Sequence, residues 1–321
     1  MSVAILGAGA IGTALAIALA RGGTQVTLWA HDPDHAATLQ TSRENTRRLP
    51  GPKLPDSINA TGDIADTTNV DTILAAVPMQ ALGDTLATHK AVLHGKPIVA
   101  CCKGIDLATG RGPSTIIQDT IPSATPALLS GPSFATDIAT GLPTALTLAA
   151  PDEATATDLQ QQLSTDTLRV YRTTDLTGVE LGGALKNVIA IACGITIGTG
   201  LGESARAALM TRGYAEMLRF ATAHGAKPET LAGLSGFGDL ALTCTSTKSR
   251  NFSFGLALGQ RGHAEPTATT EGIATALAVA RKARVQSLQM PITTTMAAVL
   301  NGDLTVQDAT RTLMTRPLTT E

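Results

Sequence analysis

The sequence predicts an α/β chain in two parts: a doubly wound, largely parallel sheet, then an all-helical C-terminal domain. Three observations carry this. Short apolar runs alternate with helix-spaced segments up to about Thr173, a glycine-rich turn joins the first run to the first of these segments, and beyond Thr173 long Ala-rich stretches take over. Strand-like runs fall at Val3–Leu6, Gln25–Trp29, Thr72–Val77, Pro97–Ala100, Ala127–Leu129, Thr144–Ala149 and Leu168–Tyr171. They lack polar alternation, as strands covered on both faces do, and the segments between them, such as Gly12–Ala20, Pro78–Thr88 and Asp152–Leu163, have helical spacing. Strand–helix alternation implies crossover units and a parallel sheet. Asp175–Ile197, Ser204–His224 and Thr270–Ala283 read as long helices. The expected domains are therefore residues 1–173 and 174–321, and 321 residues at about 150 per domain agree with two. Arg43–Pro55, with Pro50-Gly51-Pro52 inside it, reads as the longest irregular connection of the first half.

Composition excludes several classes. With 24 Lys and Arg against 26 Asp and Glu, there is no basic excess of the kind nucleic-acid binders carry. Aromatic residues are 2% of the chain, too few for base-stacking platforms, so the core must be built from Ala, Leu, Ile, Val and Thr. A hydrophobic share of 43% with low net charge excludes disorder. Cys101, Cys102, Cys193 and Cys244 form no CxxC pair, a pattern expected of a reducing, cytoplasmic setting. No basic leader precedes the first apolar run, so no secretory signal is expected. The uncharged run from Asn187 to Gly202 contains four glycines and reads as a buried central helix rather than a membrane span.

The opening motif is Gly7-Ala8-Gly9-Ala10-Ile11-Gly12, placed between an apolar strand and an Ala/Leu helix, with a second strand ending at Trp29. That context makes it a Rossmann-like dinucleotide-binding fingerprint. Gly7 permits the tight turn, Gly9 lets backbone approach a pyrophosphate, and Gly12 lets helix and strand pack closely. The helix N-terminus offers unpaired N–H groups to the phosphates. His31 and Asp32 follow the second strand, one able to face a ribose 2′-phosphate and the other a 2′-hydroxyl, so NAD and NADP both remain open. His31 and His35 stand four apart with no third ligand nearby, and no metal is expected.

Transfer of a hydride to a carbonyl builds negative charge on oxygen, which needs a cation or acid aimed at it. Lys186 heads an apolar helical stretch, where desolvation favours giving up its proton. Asp239 and Thr243 are four apart and share a helix face. Ser249, Arg250 and Asn251 form a donor cluster suited to a phosphate monoester. Lys103 and the Gly131–Ser133 turn follow strands at the carboxyl edge, where open α/β sheets bind ligands. Two other glycine groups are set aside: Gly198, Gly200 and Gly202 follow a helix, and Gly233-Leu234-Ser235-Gly236 has Phe237 where a nucleophile elbow needs glycine.

Over nearly its whole length the chain resembles the bacterial-type NAD(P)-dependent glycerol-3-phosphate dehydrogenase family. The matching blocks include GAGAIGTALA, WAHDP, CKGI, LSGPSFA, VELGGALKNVIAIACG, ARAALMTRG, GFGDLALTCTS, SRN and TEG. The resemblance implies reversible reduction of dihydroxyacetone phosphate to sn-glycerol 3-phosphate with NADPH or NADH, for glycerophospholipid synthesis. It makes Lys186 the proton donor and acceptor, with Thr243 and Asn187 supporting it. Lys103 would contact both substrate and cofactor, while Gly131, Ser133, Asp239, Ser249, Arg250 and Asn251 line the substrate site. Ala10, Ile11, His31, Ala135, Arg250, Thr269 and Glu271 would contact the cofactor. A homodimer is implied as well. The chain departs from the family pattern at Ile11 and Arg48, where aromatic side chains are usual, and at Thr270 before Glu271-Gly272. Two alternatives stand beside this: a β-hydroxyacid dehydrogenase acting on a carboxylated substrate, and a sensor that binds NAD(P)H without turnover. Retention of Lys186, Asp239 and Arg250 together speaks against the sensor, which needs no proton donor.

Overall fold

A computed structural model describes residues 1–266 and 270–314. Its chain parts into two compact units, Met1–Lys103 with Arg111–Glu180, and Gly104–Gly110 with the chain from Leu181 onward. The first unit runs β1 (Ser2–Leu6), α1 (Ala10–Arg21), β2 (Gln25–Trp29), α2 (Pro33–Ser42), β3 (Glu44–Asn45), β4 (Leu49–Lys53), β5 (Ile58–Thr61) and β6 (Thr72–Ala75). It continues through α3 (Met79–Leu93), β7 (Pro97–Ala100), α4 (Pro113–Thr120), β8 (Thr125–Ser130), α5 (Ala135–Thr140), β9 (Thr144–Ala149), α6 (Glu153–Leu163) and β10 (Leu168–Thr173).

Eight strands form one sheet in the order β10-β9-β8-β7-β6-β1-β2-β5. Every pairing is parallel except β8 with β9, where Leu128 faces Ala149. The alternation of side chains across β1 shows why its sequence is apolar throughout. Val3 and Ile5 pack into the layer of α1, α5 and α6, and Ala4 and Leu6 into the layer of α3 and α4. The strand order reverses direction about β1, which places the turn after Leu6 at the topological switch point.

The stretch Arg43–Pro55 is not irregular, as the sequence reading expected: β3 and β4 pair antiparallel within it. Pro50, Gly51 and Pro52 conceal a strand from any periodicity argument, and here Glu44 supplies what the local pattern lacks. Its carboxylate accepts from the Gly51 amide at 2.9 Å and from Lys53 Nζ at 2.6 Å. Strand β5, also unread in the sequence, is a four-residue edge beside β2.

The second unit is helical: α7 (Leu176–Gly198, which begins in the first unit), α8 (Gly202–Ala223), α9 (Pro228–Ala232), a π-helical turn at Leu234–Gly238, α10 (Asp239–Cys244), α11 (Arg250–Arg261), α12 (Gly272–Val285), α13 (Pro291–Leu300) and α14 (Val306–Met314). Helix α7 is long and apolar enough to cross a membrane, with a mean hydropathy of 1.6, but 89% of that window is buried inside the protein. It is the core helix of this unit, packed by Phe220, Leu231, Leu240 and Val279. All four cysteines are free thiols, and burial pushes the pKa of Cys101 up to about 12.

Helix α13 starts without a side-chain cap of its own, and Glu216 of α8 supplies one. The buried Glu216 carboxylate accepts from the amides of Ile292 and Thr293 at 2.6 and 3.0 Å and from the Thr293 hydroxyl at 3.0 Å. Burial holds its pKa above the usual carboxylate range, against the pull of those hydrogen bonds. The folded chain therefore binds the Glu216 proton more tightly than the unfolded chain. Its contribution is full below the unfolded glutamate pKa and is lost as pH rises through the higher folded value. In Glu216→Gln, which cannot ionise, unfolding free energy relative to the parent should rise from pH 4 to pH 7.5, measured by urea titration. A difference that stays constant over that range would show that ionisation of Glu216 does not enter stability.

Candidate active site

In the first unit the three glycines of the turn have different surroundings. Gly7 has φ +112°, and a Cβ there would lie 2.8 Å from the Ala76 carbonyl oxygen. A Cβ on Gly12 would meet the Gly7 carbonyl oxygen at 2.0 Å, so helix and turn touch backbone to backbone. Gly9 is different: a Cβ there would meet nothing within 4 Å, and no side chain caps the N-terminus of α1. Half-buried Ala10 and Ile11 form the first turn of that helix beside the open space. Such a cradle, with bare N–H groups and room over a glycine, fits a pyrophosphate.

Asn45, which the sequence reading passed over, braces this turn. Its buried amide donates to the Ala8 carbonyl at 3.0 Å and to Thr13 Oγ1 at 2.7 Å, and it accepts from the amide of Arg48 at 3.1 Å. Nothing local marks this role, because the Ala8 and Thr13 groups it donates to lie in another segment. His31 is exposed beyond β2, with its ring edge-on to Trp29 at 6.2 Å. The neighbouring Asp32 caps α2 and pairs with Arg47 at 3.1 Å, and these contacts, the His35 amide first, hold its pKa low.

Lys103 and the Gly131 turn do meet. Lys103 Nζ donates to the Gly131 carbonyl at 2.9 Å, and Ser133 Oγ to the same oxygen at 3.3 Å. Gly131 has φ +144°, a backbone state that only glycine adopts easily. Ala135 follows as the first residue of α5. All of these positions succeed β1, β7 or β8, which run parallel, so they share the carboxyl edge of the sheet.

In the second unit, Lys186 is buried in α7 with its side chain 8% exposed. The sequence suggests an isolated lysine whose charge is disfavoured. Instead, Asp239, 2% exposed, places Oδ1 3.0 Å from Nζ. The opposite charge holds the side chain as an ammonium ion. Thr243 Oγ1 accepts from Nζ at 2.8 Å and donates to Asp239 Oδ1 at 3.2 Å, which fixes the direction of its hydroxyl hydrogen. The i, i+4 spacing on α10 that the sequence shows is what lets Asp239 and Thr243 reach one amine.

Asn187 lies beside the lysine, 4% exposed, and its Oδ1 accepts from Asn251 Nδ2 at 3.0 Å. Asn251 belongs to the first turn of α11, capped by Ser249, whose Oγ accepts from the Phe252 amide at 3.2 Å. Arg250 stands at the same helix end, where partial burial of its guanidinium pulls its pKa down and the charge of Glu271, at the start of α12, opposes this. Helix N-terminus, guanidinium and hydroxyl bring together groups of the kind that suit an anion. Thr269 lies outside the described residues.

Glycines bring these helices together. A Cβ at Gly194 would sit 2.1 Å from the Phe252 carbonyl oxygen, at Gly198 2.4 Å from that of Leu256, and at Gly255 2.1 Å from that of Ile191. Helices α7 and α11 therefore touch along their backbones, which sets Asn251 against Asn187. Gly198, set aside as a nucleotide fingerprint, has this packing role. Gly182, one turn before Lys186, meets the Ser235 carbonyl in the same way at 2.7 Å and seats the π-helical turn that leads into Asp239.

A glycine turn at a switch point and a buried ammonium–carboxylate pair near a donor-rich helix end are features of a nicotinamide-dependent dehydrogenase. Models of the NAD-dependent glycerol-3-phosphate dehydrogenase N-terminus and C-terminus match residues 2–156 and 175–311. The chain belongs to that family. It is similar to glycerol-3-phosphate dehydrogenase [NAD(P)+] from Ruegeria sp. (strain TM1040), 61% identical across 100% of both chains. The same-named protein of Paracoccus denitrificans (strain Pd 1222) is 56% identical, again over 100% of each. The crystal structure of glycerol-3-phosphate dehydrogenase from Coxiella burnetii superposes with a TM-score of 0.91 at 38% identity, covering 98% of this chain and 99% of the other.

The glycine contacts make a direct test of how α11 is held. Gly255→Ala forces a methyl group onto the Ile191 carbonyl, and should cost roughly 1–3 kcal/mol of unfolding free energy, the usual range for overpacking. Urea titration reads this, and parental stability in the variant would show that α7 and α11 separate freely.

Proposed function

We propose that this chain reduces dihydroxyacetone phosphate reversibly to sn-glycerol 3-phosphate, with Lys186 moving the proton. The observation that carries the reading is the buried Lys186 ammonium, held by Asp239 at 3.0 Å and Thr243 at 2.8 Å. The cofactor, NADPH or NADH, supplies the hydride that reduces the ketone carbon. Gly7, Gly9 and Gly12 shape the cradle for its pyrophosphate, with Ala10, Ile11, His31, Lys103, Ala135, Arg250, Thr269 and Glu271 assigned to the rest of it. Lys103, Gly131 and Ser133 are assigned to the substrate as well.

On the substrate side, the N-terminus of α11 with Ser249, Arg250 and Asn251 binds the phosphate. The Arg250 fork can take two oxygens of either a phosphate or a carboxylate, but a phosphate has a third oxygen for the Ser249 hydroxyl and the helix N–H groups, which a carboxylate lacks. Lys186 stabilises the charge growing on the carbonyl oxygen and then donates its proton there. Asp239 balances the ammonium charge before transfer, and the Thr243 hydroxyl fixes where Nζ points. In the reverse direction the amine takes the proton back from the alcohol. A cytoplasmic location and a homodimer belong to the same proposal, supported by the cysteine pattern and by the family.

Mixing the purified protein with dihydroxyacetone phosphate and NADPH or NADH should consume the reduced cofactor, followed by absorbance. No consumption with either cofactor removes the proposal. Lys186→Ala should lower kcat by about 10²–10⁴-fold, the range for a lost general acid, while the cofactor dissociation constant stays at the parental value. Arg250→Ala should raise KM for dihydroxyacetone phosphate by roughly tenfold or more, as loss of a hydrogen bond to a charged group implies. An unchanged KM places the phosphate elsewhere.

A further inference from the structure

The segment that follows Lys103 belongs to a different unit from Lys103 itself. The chain reaches Lys103 from β7 within the first unit, Gly104–Gly110 is part of the helical unit, and Arg111 is again part of the first. Gly104 and Gly110, at the two ends of this segment, have φ +149° and +67°, backbone states that glycine adopts easily. Between them the segment forms a closed turn. The Gly110 amide donates to the Asp106 carbonyl at 2.8 Å, and the Thr109 amide and hydroxyl donate to Asp106 Oδ2 at 2.7 and 2.6 Å.

Two contacts fasten this turn to the helical unit. Ile105 is 2% exposed and lies in the same apolar core as Leu185 of α7 and Val279 of α12. Leu107, Ala108 and Thr109 are exposed, so Ile105 is the one fully buried side chain of the segment. Arg281 of α12 adds a polar tie, donating from Nη2 to the Leu107 carbonyl at 2.6 Å. The far end of the same helix rests on α7, where a Cβ on Gly272 would lie 2.7 Å from the Asn187 carbonyl oxygen. Arg281 stands about 13 Å further along that helix. Helix α12 therefore joins the segment after Lys103 to the helix that carries Lys186.

Lys103 thus lies between two fixed points of the chain. Before it, the Cys101 amide donates to the Ala75 carbonyl at 2.9 Å, which holds the end of β7 to the sheet. After it, Ile105 is set in the helical core. We infer that Ile105 and Arg281 are positioning residues for Lys103, fixing from the helical unit the backbone that carries its ammonium. This rests on the roles proposed above for Lys103 at the substrate and the cofactor, and it adds what holds that lysine in place. A charge displaced by about 1 Å from a reacting group loses much of its effect, so slack in the segment reaches the chemistry through Lys103.

Arg281→Ala changes an exposed helix position and removes the donor to Leu107. Its KM for dihydroxyacetone phosphate should rise about threefold to tenfold, the scale of one hydrogen bond, and its calorimetric dissociation constant for NADPH about twofold to fivefold. Ile105→Val, which shortens the buried anchor by a methylene group, should move both in the same direction. A role in stability alone would act whether or not Lys103 is present, so both substitutions are repeated in Lys103→Ala. There, adding either one should change kcat/KM and the NADPH dissociation constant by less than about twofold, because the group they position is gone. Losses as large in Lys103→Ala as in the parent overturn the inference, and so do parental values in Arg281→Ala. If the parent chain oxidises no cofactor, the proposed reaction falls, while NADPH binding still compares the variants in the two backgrounds without turnover.

Discussion

The pairing of the Lys186 ammonium with the Asp239 carboxylate in an apolar helical core is the constraint on which the second unit depends. Removing two such charges from water costs several kcal/mol each, and their attraction repays this only when the geometry is good. Well-packed apolar side chains would hold α7 and α10 together at least as securely. Stability alone therefore does not account for the pair, and the proposed proton transfer gives it a use. Thr243 completes it by accepting from the amine and donating to the carboxylate, which leaves the ammonium one preferred direction.

Holding that geometry requires helices closer together than ordinary side chains permit, and the chain meets the need with glycine. Gly182 seats the turn before Asp239, Gly194, Gly198 and Gly255 bring α11 onto α7, and Gly272 brings α12 to both. Each glycine in a helix interior forfeits roughly 0.5–1 kcal/mol relative to alanine. A core with few rings, rich in Ala, Ile, Leu and Thr, suits backbone-to-backbone packing of this kind. The first unit uses the same device in another setting, where Gly12 presses on the carbonyl of Gly7 and leaves the space over Gly9 clear.

Both units also direct polar hydrogens by long-range hydrogen bonds. Asn45 reaches from the β3–β4 hairpin to the glycine turn, and Glu216 reaches from α8 to the start of α13. Asn251 does the same between α12 and Asn187. In each case a buried polar side chain satisfies backbone groups that local structure leaves open, as burial requires. The consequence for function is orientation. Under the proposed function, groups held in this way at the site need little reorganisation as charge develops on a ligand oxygen.

The sequence by itself determined seven of the eight strands of the main sheet, because strands buried on both faces announce themselves as apolar runs. It also determined the glycine turn, whose three glycines sit at a fixed spacing on one βαβ unit, and the i, i+4 face shared by Asp239 and Thr243. The β3–β4 hairpin was hidden by Pro50, Gly51 and Pro52. Only the tertiary structure decided that Lys186 meets a carboxylate, that Gly198 and Gly255 are packing residues, and that Asn187 accepts from Asn251. The physical reason is range. Periodicity records which face of one element is apolar, whereas the protonation of an amine and the direction of an amide are set by groups on other helices, brought within 3 Å by packing.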